Sequence, residues 1–196
     1  MSKAEKTKEF IIQKTAPIFN KKGYAGTSLS DMTEATGLTK GSIYGNFADK
    51  DEVALAAFAY NSSLMGVAVR TEMAKRSSYR EKLMVYVELY GNFTTTLNSS
   101  LEGGCPILNT ITECDDTHPQ LKAKAVEALL SWQERLTSLI RDGIEAGEFK
   151  SGLDAEEMAV TMIALLEGIV LFVKATGKPA YRKYLVNTLT TLIKGM

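Results

Sequence analysis

The sequence predicts an all-α protein, and three observations predict it. Four prolines in 196 residues leave long stretches rich in Ala, Leu, Glu, Lys and Met, residues that lose little on entering a helix. Few runs alternate with the period two of a strand. Five times a Ser or Asp is followed three residues later by a carboxylate, a pattern that satisfies orphaned amide donors at a helix start from both directions: Ser2/Glu5, Ser28/Asp31, Asp49/Glu52, Ser78/Glu81 and Asp154/Glu157.

These starts, with glycines as stops, give about nine helices. The first runs from Lys3 to Lys22 and ends at Gly23. The second, Leu29 to Thr36, starts at the Ser28 cap and stops at Gly37; the third is Lys40 to Phe47. Asp49 opens the fourth, Lys50 to Arg76, and Ser78 the fifth, Tyr79 to Ser99. Pro106 sits in the first turn of Cys105 to Cys114, and Gly147 closes His118 to Ala146. Asp154 and Gly177 bracket Ala155 to Thr176, and Pro179 begins the last helix, to Lys194. The first elements are small and the later ones long, so the chain divides into a head over residues 1–49 and a larger domain over residues 50–196, joined at a helix junction rather than a tether.

The formal net charge is zero, which alone argues against a nucleic-acid partner. Its distribution reverses that reading. Met1 to Lys50 holds eight lysines against five acids, and the rest of the chain carries the matching acidic surplus. Two cysteines and the absence of a charged, then apolar N-terminal run indicate neither a disulfide scaffold nor a signal peptide. The most apolar segment, Met158 to Val173, contains Glu167 and is shorter than the roughly 20 apolar residues of a membrane span. The expectation is a cytoplasmic protein.

From Thr27 to Phe47 the chain reads TSLSDMTEATGLTKGSIYGNF, two short helices separated by Gly37, Leu38 and Thr39. So tight a turn makes the helices cross steeply. Met32, Ala35, Leu38, Ile43 and Phe47 then face Ile12, Ala16 and Phe19 of the first helix, which leaves Lys40 and Tyr44 pointing outward. Thr39, Lys40, Gly41, Ser42 and Tyr44 make a slim, donor-rich face suited to a major groove. Spacing alone also fits a plain helical hairpin with solvated Lys and Tyr.

The residues themselves resemble the TetR family from Ile12 to Phe58, through Ala16, Phe19, Lys22-Gly23-Tyr24, Thr27, Asp31-Met32, Ala35, Gly37-Leu38, Lys40-Gly41, Tyr44, Phe47 and Lys50. The resemblance implies a homodimeric regulator that binds a double-stranded DNA operator and a small-molecule effector, with no cofactor. It implies that Thr27 and Ser28 cap the second helix and touch phosphate, and that Thr39, Lys40, Gly41 and Ser42 lie nearest the base edges. Tyr44 and Lys50 would meet the backbone, with Asn46 beside them. Gly45 and Asn46 stand where relatives often carry bulky or His-like residues. No arginine precedes Arg70, so lysine, which lacks the bidentate fork, must make any guanine contact; discrimination leans on Lys40, the Ser42 hydroxyl and DNA shape.

The last two helices carry more apolar surface than a terminal pair normally buries; core packing is one reading, and the resemblance implies a two-fold dimer interface through Ala155 to Lys194. The candidate effector pocket comprises some of Tyr60, Leu64, Met65, Tyr86, Tyr90, Phe93, Leu97, Cys105, Leu108, Asn109, Trp132 and Met162, an apolar and aromatic set with a few polar tips; simple core packing explains the same stripe. In Gly103-Gly104-Cys105-Pro106 the Cys105 sulfur falls at a helix N-terminus, where a thiolate is favoured. It is either an electrophile-responsive thiol, as in a subgroup the segment resembles, or a buried small apolar residue. Cys114 lies about 13 Å along the same helix, beyond disulfide reach. Glu113 to His118 has no metal-ligand spacing and reads as caps for the next helix. With one histidine, no phosphate-binding Gly loop and no nucleophile elbow, nothing in the sequence supports catalysis. The function expected is a DNA-binding repressor released by an inducer; an activator of the same fold and a helical interaction module are the alternatives.

Overall fold

The computed structural model describes residues 2–91 and 103–196, and every regular element among them is helical. Nine α-helices follow in order: α1 Lys3–Gly26, α2 Leu29–Thr36, α3 Lys40–Tyr44, α4 Lys50–Met73, α5 Tyr79–Gly91, α6 Pro106–Cys114, α7 Pro119–Glu145, α8 Ala155–Thr176 and α9 Arg182–Gly195. A 3₁₀ turn, Pro179–Tyr181, precedes α9, where an unbroken helix from Pro179 is expected from sequence. The far end of the expected fifth helix, towards Ser99, lies outside the described residues.

All five predicted starts are hydrogen-bonded. Ser2/Glu5 and Ser28/Asp31 form full capping boxes, and the Ser78 and Asp154 side chains each accept an amide of the following turn. At Asp49 the reciprocal half differs: Glu52 donates its amide to Asp49, but its carboxylate takes the amide of Ala48 instead. Gly37 and Gly177 close α2 and α8 in the left-handed conformation. Gly23 kinks α1 rather than ending it, with φ of 76°, and the helix resumes to Gly26. The third helix stops at Tyr44, short of Phe47, and the Asn46 side chain donates to the Ser42 carbonyl at 2.8 Å.

The described residues fall into two compact units, Met1–Met65 with Asn98–Val126, and Gly66–Leu97 with Glu127–Met196; the predicted head over residues 1–49 lies wholly within the first. In the first unit α1 packs on α2 and α6, and α2 on α3. Its core holds Ile11, Ala16, Phe19, Met32, Ile43, Phe47, Val53, Ala57 and Phe58. Ile11, rather than the expected Ile12, is the fully buried residue of the first turns, while Ile12, Ala35 and Leu38 are half-buried.

In the second unit α5, α8 and α9 pack on one another. Arg80 closes it: the guanidinium donates to the Glu148 carbonyl at 3.0 Å and to the Ile193 carbonyl, and lies 5.3 Å over the Phe149 ring. The Lys150 amide donates to the Met196 carbonyl at 2.9 Å, so the chain terminus is held by the same turn. Position 143 must be glycine, because a Cβ there would stand 2.2 Å from the Phe149 ring. By length and apolar content α4 and α8 each suffice to cross a bilayer, more than the sequence reading of Met158 to Val173 credits; long core helices pass the same test.

Candidate nucleic-acid interface

The α2–turn–α3 segment presents one polar face over a packed one. Thr39 caps α3, its hydroxyl accepting the Ser42 amide at 3.2 Å. Ile43 is fully buried beneath, as are Met32 and Phe47, so α3 can turn only one way. Thr39, Lys40 and Gly41 are exposed on the other side, with Ser42 and Tyr44 half-buried beside them. The Lys8 ammonium sits 4.7 Å over the Phe47 ring and is paired to Glu52 at 2.6 Å, pinning α1 to the first turn of α4.

Three predicted contact residues sit differently. Thr27 is 0% exposed and its hydroxyl donates to the Gly23 carbonyl at 2.6 Å, so Ser28 alone caps α2 and the Thr27 side chain has no surface for phosphate. Asn46 is engaged with Ser42. The Lys50 ammonium rests 4.4 Å over the Tyr24 ring, and must leave it to reach a phosphate. Lys22 pairs with Asp31 at 2.5 Å, and this bond, with those from Ser28, holds the Asp31 carboxyl well below the usual carboxylate range.

Behind this face the last turn of α1 meets α4, α6 and the start of α7. The Tyr24 hydroxyl donates to Asp51, and that bond, with burial, pushes its phenol up to about 12. The His118 ring stands edge-on to Tyr24 at 4.6 Å, and its Nδ1 accepts the Leu121 amide at 3.2 Å, capping α7 as the sequence reading expects. The Glu113 carboxylate takes the amides of Tyr24 and Ala25, each at 2.9 Å, the two donors that the Gly23 kink turns towards it. Asn20 donates to the Gly104 carbonyl at 2.9 Å, Asn109 to the Gly103 carbonyl at 2.8 Å, and Asn61 of α4 to the Ala16 carbonyl at 2.8 Å.

Comparison with known proteins agrees with this geometry. Residues 11–57 match the family described as bacterial regulatory proteins, tetR family, and residues 79–189 match the tetracyclin repressor-like C-terminal domain. The chain belongs to the TetR family of transcriptional regulators. A TetR-family regulator from Cytophaga hutchinsonii, 47% identical, superposes with a TM-score of 0.93 over all of this chain and 97% of its own. One from Chloroflexus aurantiacus, 33% identical, gives 0.92 over 99% and 97%. The regulator TtgR of Pseudomonas putida is 26% identical over 174 residues, 85% of this chain and 80% of its own. The protein is a DNA-binding transcriptional regulator, and α2 and α3 are its helix-turn-helix.

The residues this TetR-family regulator was expected to devote to an effector distribute between the units. Tyr60, Leu64, Cys105, Leu108 and Asn109 belong to the first, and Tyr90, Trp132 and Met162 to the second. Phe93 and Leu97 lie outside the described residues. Tyr90 and Tyr86 stack on Trp132 with ring centroids 5.4 and 6.4 Å away, and the buried Trp132 Nε1 has no hydrogen-bond partner among the described residues. Cys105 is buried at the N-cap of α6, and Cys114 is buried at the other end, where desolvation and then the Glu113 charge push its thiol up. A cavity of about 30 Å³ lies in the first unit, walled among others by Phe19, Phe58, Asn61, Asn109 and Cys114. Of the residues predicted for the effector only Asn109 lines it; Asn20 and Asn61 are absent from the sequence reading, and Glu113 enters it only as a cap for the next helix, whereas its carboxylate holds the end of α1. The one trace of the two asparagines in sequence is register, since Asn61 stands four residues after the buried Ala57.

Proposed function

We propose that this regulator is a homodimeric repressor whose two heads grip an operator and let go when an effector binds the larger domain. The observation that supports the reading is the face of α3: Thr39, Lys40 and Gly41 exposed, Ser42 beside them, over a fully buried Ile43. Lys40 and Ser42 reach base edges, while Ser28, Tyr44 and a released Lys50 hold phosphate. Asn46 contributes through its carbonyl once its amide is committed to Ser42, and Thr27 acts only by holding the Gly23 kink.

Dimerisation runs through Ala155 to Lys194, where Val160, Leu171, Phe172 and Tyr184 are all more than half exposed in the single chain. The effector is a small molecule bound by the larger domain. Release works through α4, whose first turns carry Lys50, Asp51, Glu52 and Asn61, each fastened to α1. A coupling of about 1–3 kcal/mol suffices to weaken operator binding 5- to 150-fold.

Mobility shift with the operator beside the protein's own gene tests the reading head. Lys40→Ala and Tyr44→Ala should each weaken binding by about a hundredfold or more, the loss of one charge-assisted contact in each of the two heads. Unchanged affinity in both variants removes α3 as the reading element.

A further inference from the structure

The cavity in the first unit has a chemical bias that the packing around it does not require. Its wall contains no lysine, arginine or histidine. The amide nitrogens in that wall already donate elsewhere: Asn20 to Gly104, Asn61 to Ala16, and Asn109 to Gly103. The Tyr24 hydroxyl is spent on Asp51. Apart from the Thr110 hydroxyl and the weakly donating Cys114 thiol, what the wall still offers is acceptors. Asn61 is 2% exposed, its amide orientation is set by the bond to the Ala16 carbonyl, and its Oδ1 has no partner among the described residues. The Glu113 carboxylate accepts one amide on each oxygen, leaving further lone pairs and a full negative charge at the wall. Cys114 beside it stays a neutral thiol, because burial and the Glu113 charge both oppose its ionisation.

We propose that this cavity, lined by α1, α4, α6 and α7, is a second ligand site, sharing only Asn109 with the larger effector set, and that it takes a small primary ammonium. A buried acceptor without a donor is costly, and the half-buried Glu113 carboxylate beside it draws a cation that carries its own N–H donors. On this measure one water needs about 10–15 Å³, so about 30 Å³ admits two or three heavy atoms, the size of methylammonium, and no more. Phe19, Ala54, Phe58 and Leu121 supply the apolar side that a short alkyl group requires. An occupant here bridges Asn61 of α4 to Glu113 of α6, at the seam that holds the last turn of α1.

The test uses the full-length protein with ¹⁵N-labelled asparagine, titrated with methylammonium chloride and, at equal ionic strength, with tetramethylammonium chloride, which has no N–H donor. The expected result is a saturating shift of the Asn61 and Asn109 side-chain amides with methylammonium and none with tetramethylammonium. Asn61→Leu removes the acceptor and should weaken binding at least tenfold. Because that change also breaks the bond to Ala16, Ala54→Val is the second variant; it keeps Asn61 in place, narrows the cavity, and should weaken binding equally. Equal shifts with both salts, shifts that never saturate, or affinity unchanged in Ala54→Val would overturn the proposal. So would a crystal grown in methylammonium whose cavity holds water alone.

Discussion

Tyr24 concentrates the energetics of the head in one side chain. Its ring carries the Lys50 ammonium on one side and meets the edge of His118, its hydroxyl reaches Asp51, and its amide is fixed by Glu113. The phenol, ordinarily at 10.0, is pushed up to about 12, first by its hydrogen bond to the Asp51 carboxylate and then by burial. A group whose folded pKa is raised contributes stability below its unfolded pKa and loses it as pH climbs through the folded value. The head should therefore keep this contribution below about pH 10 and lose it between pH 10 and 12. Absorbance at 295 nm should show two tyrosines titrating late, Tyr24 and the buried Tyr86, and Asp51→Asn should return only Tyr24 towards 10. Tyr24→Phe should cost about 1 kcal/mol in denaturant melts at pH 7, a charge-assisted bond discounted for solvent screening at a half-buried site. A Tyr24 phenol titrating with the others would show the Asp51 bond to be absent in solution.

At the scale of elements, the seam between α1 and α6 depends on a close approach of two backbones. A Cβ added at Gly103 would stand 2.1 Å from the Asn20 carbonyl oxygen, which a flexible side chain cannot relieve because both sides are main chain. Gly103→Ala should force the segment off α1, break the Asn20–Gly104 and Asn109–Gly103 bonds, and destabilise the protein by about 2 kcal/mol or more, read as a lowered melting midpoint. Gly152→Ala, which meets open space, is the control and should leave the midpoint nearly unchanged. Helix starts were legible in sequence because a cap is a local event: Ser28 and Asp31 are three residues apart and satisfy each other whatever surrounds them. The seam was not, because its partners are far apart in the chain. Asn20 meets Gly104 and Tyr24 meets Glu113 across more than eighty residues, and no periodicity announces such pairs. Thr27 was hidden by a local event instead. Its hydroxyl is an ordinary surface donor until the Gly23 kink folds the carbonyl of residue 23 back onto it.

For the whole molecule the charge distribution and the apolar C-terminal helices make a joint prediction. A lysine-rich head displaces a counterion for each cation it brings onto the duplex, in the groove or on phosphate, and each one steepens the salt dependence. In the proposed contacts Lys40 in the groove and Lys50 on phosphate bring two cations per head, hence four per dimer, and log affinity against log salt should fall with a slope of about −4. The proposed interface that joins the heads is tested at Leu171. It is 57% exposed in the single chain, whereas the neighbouring Phe172 already packs edge-on against Tyr181 at 5.2 Å, so Leu171 can be changed without disturbing its own protomer. Leu171→Glu places a charge in each copy of an isologous interface, where like charges meet across the two-fold axis. Sedimentation should show a monomer with an unchanged helical spectrum. Its residual DNA binding should weaken by more than a hundredfold and its salt slope should fall to about −2, because each molecule then brings only one head to the duplex. A variant that stays dimeric would move the interface away from α8. A monomer that kept the slope of −4 would instead place the cations outside Lys40 and Lys50, and the lysines of α1 would be the next to replace.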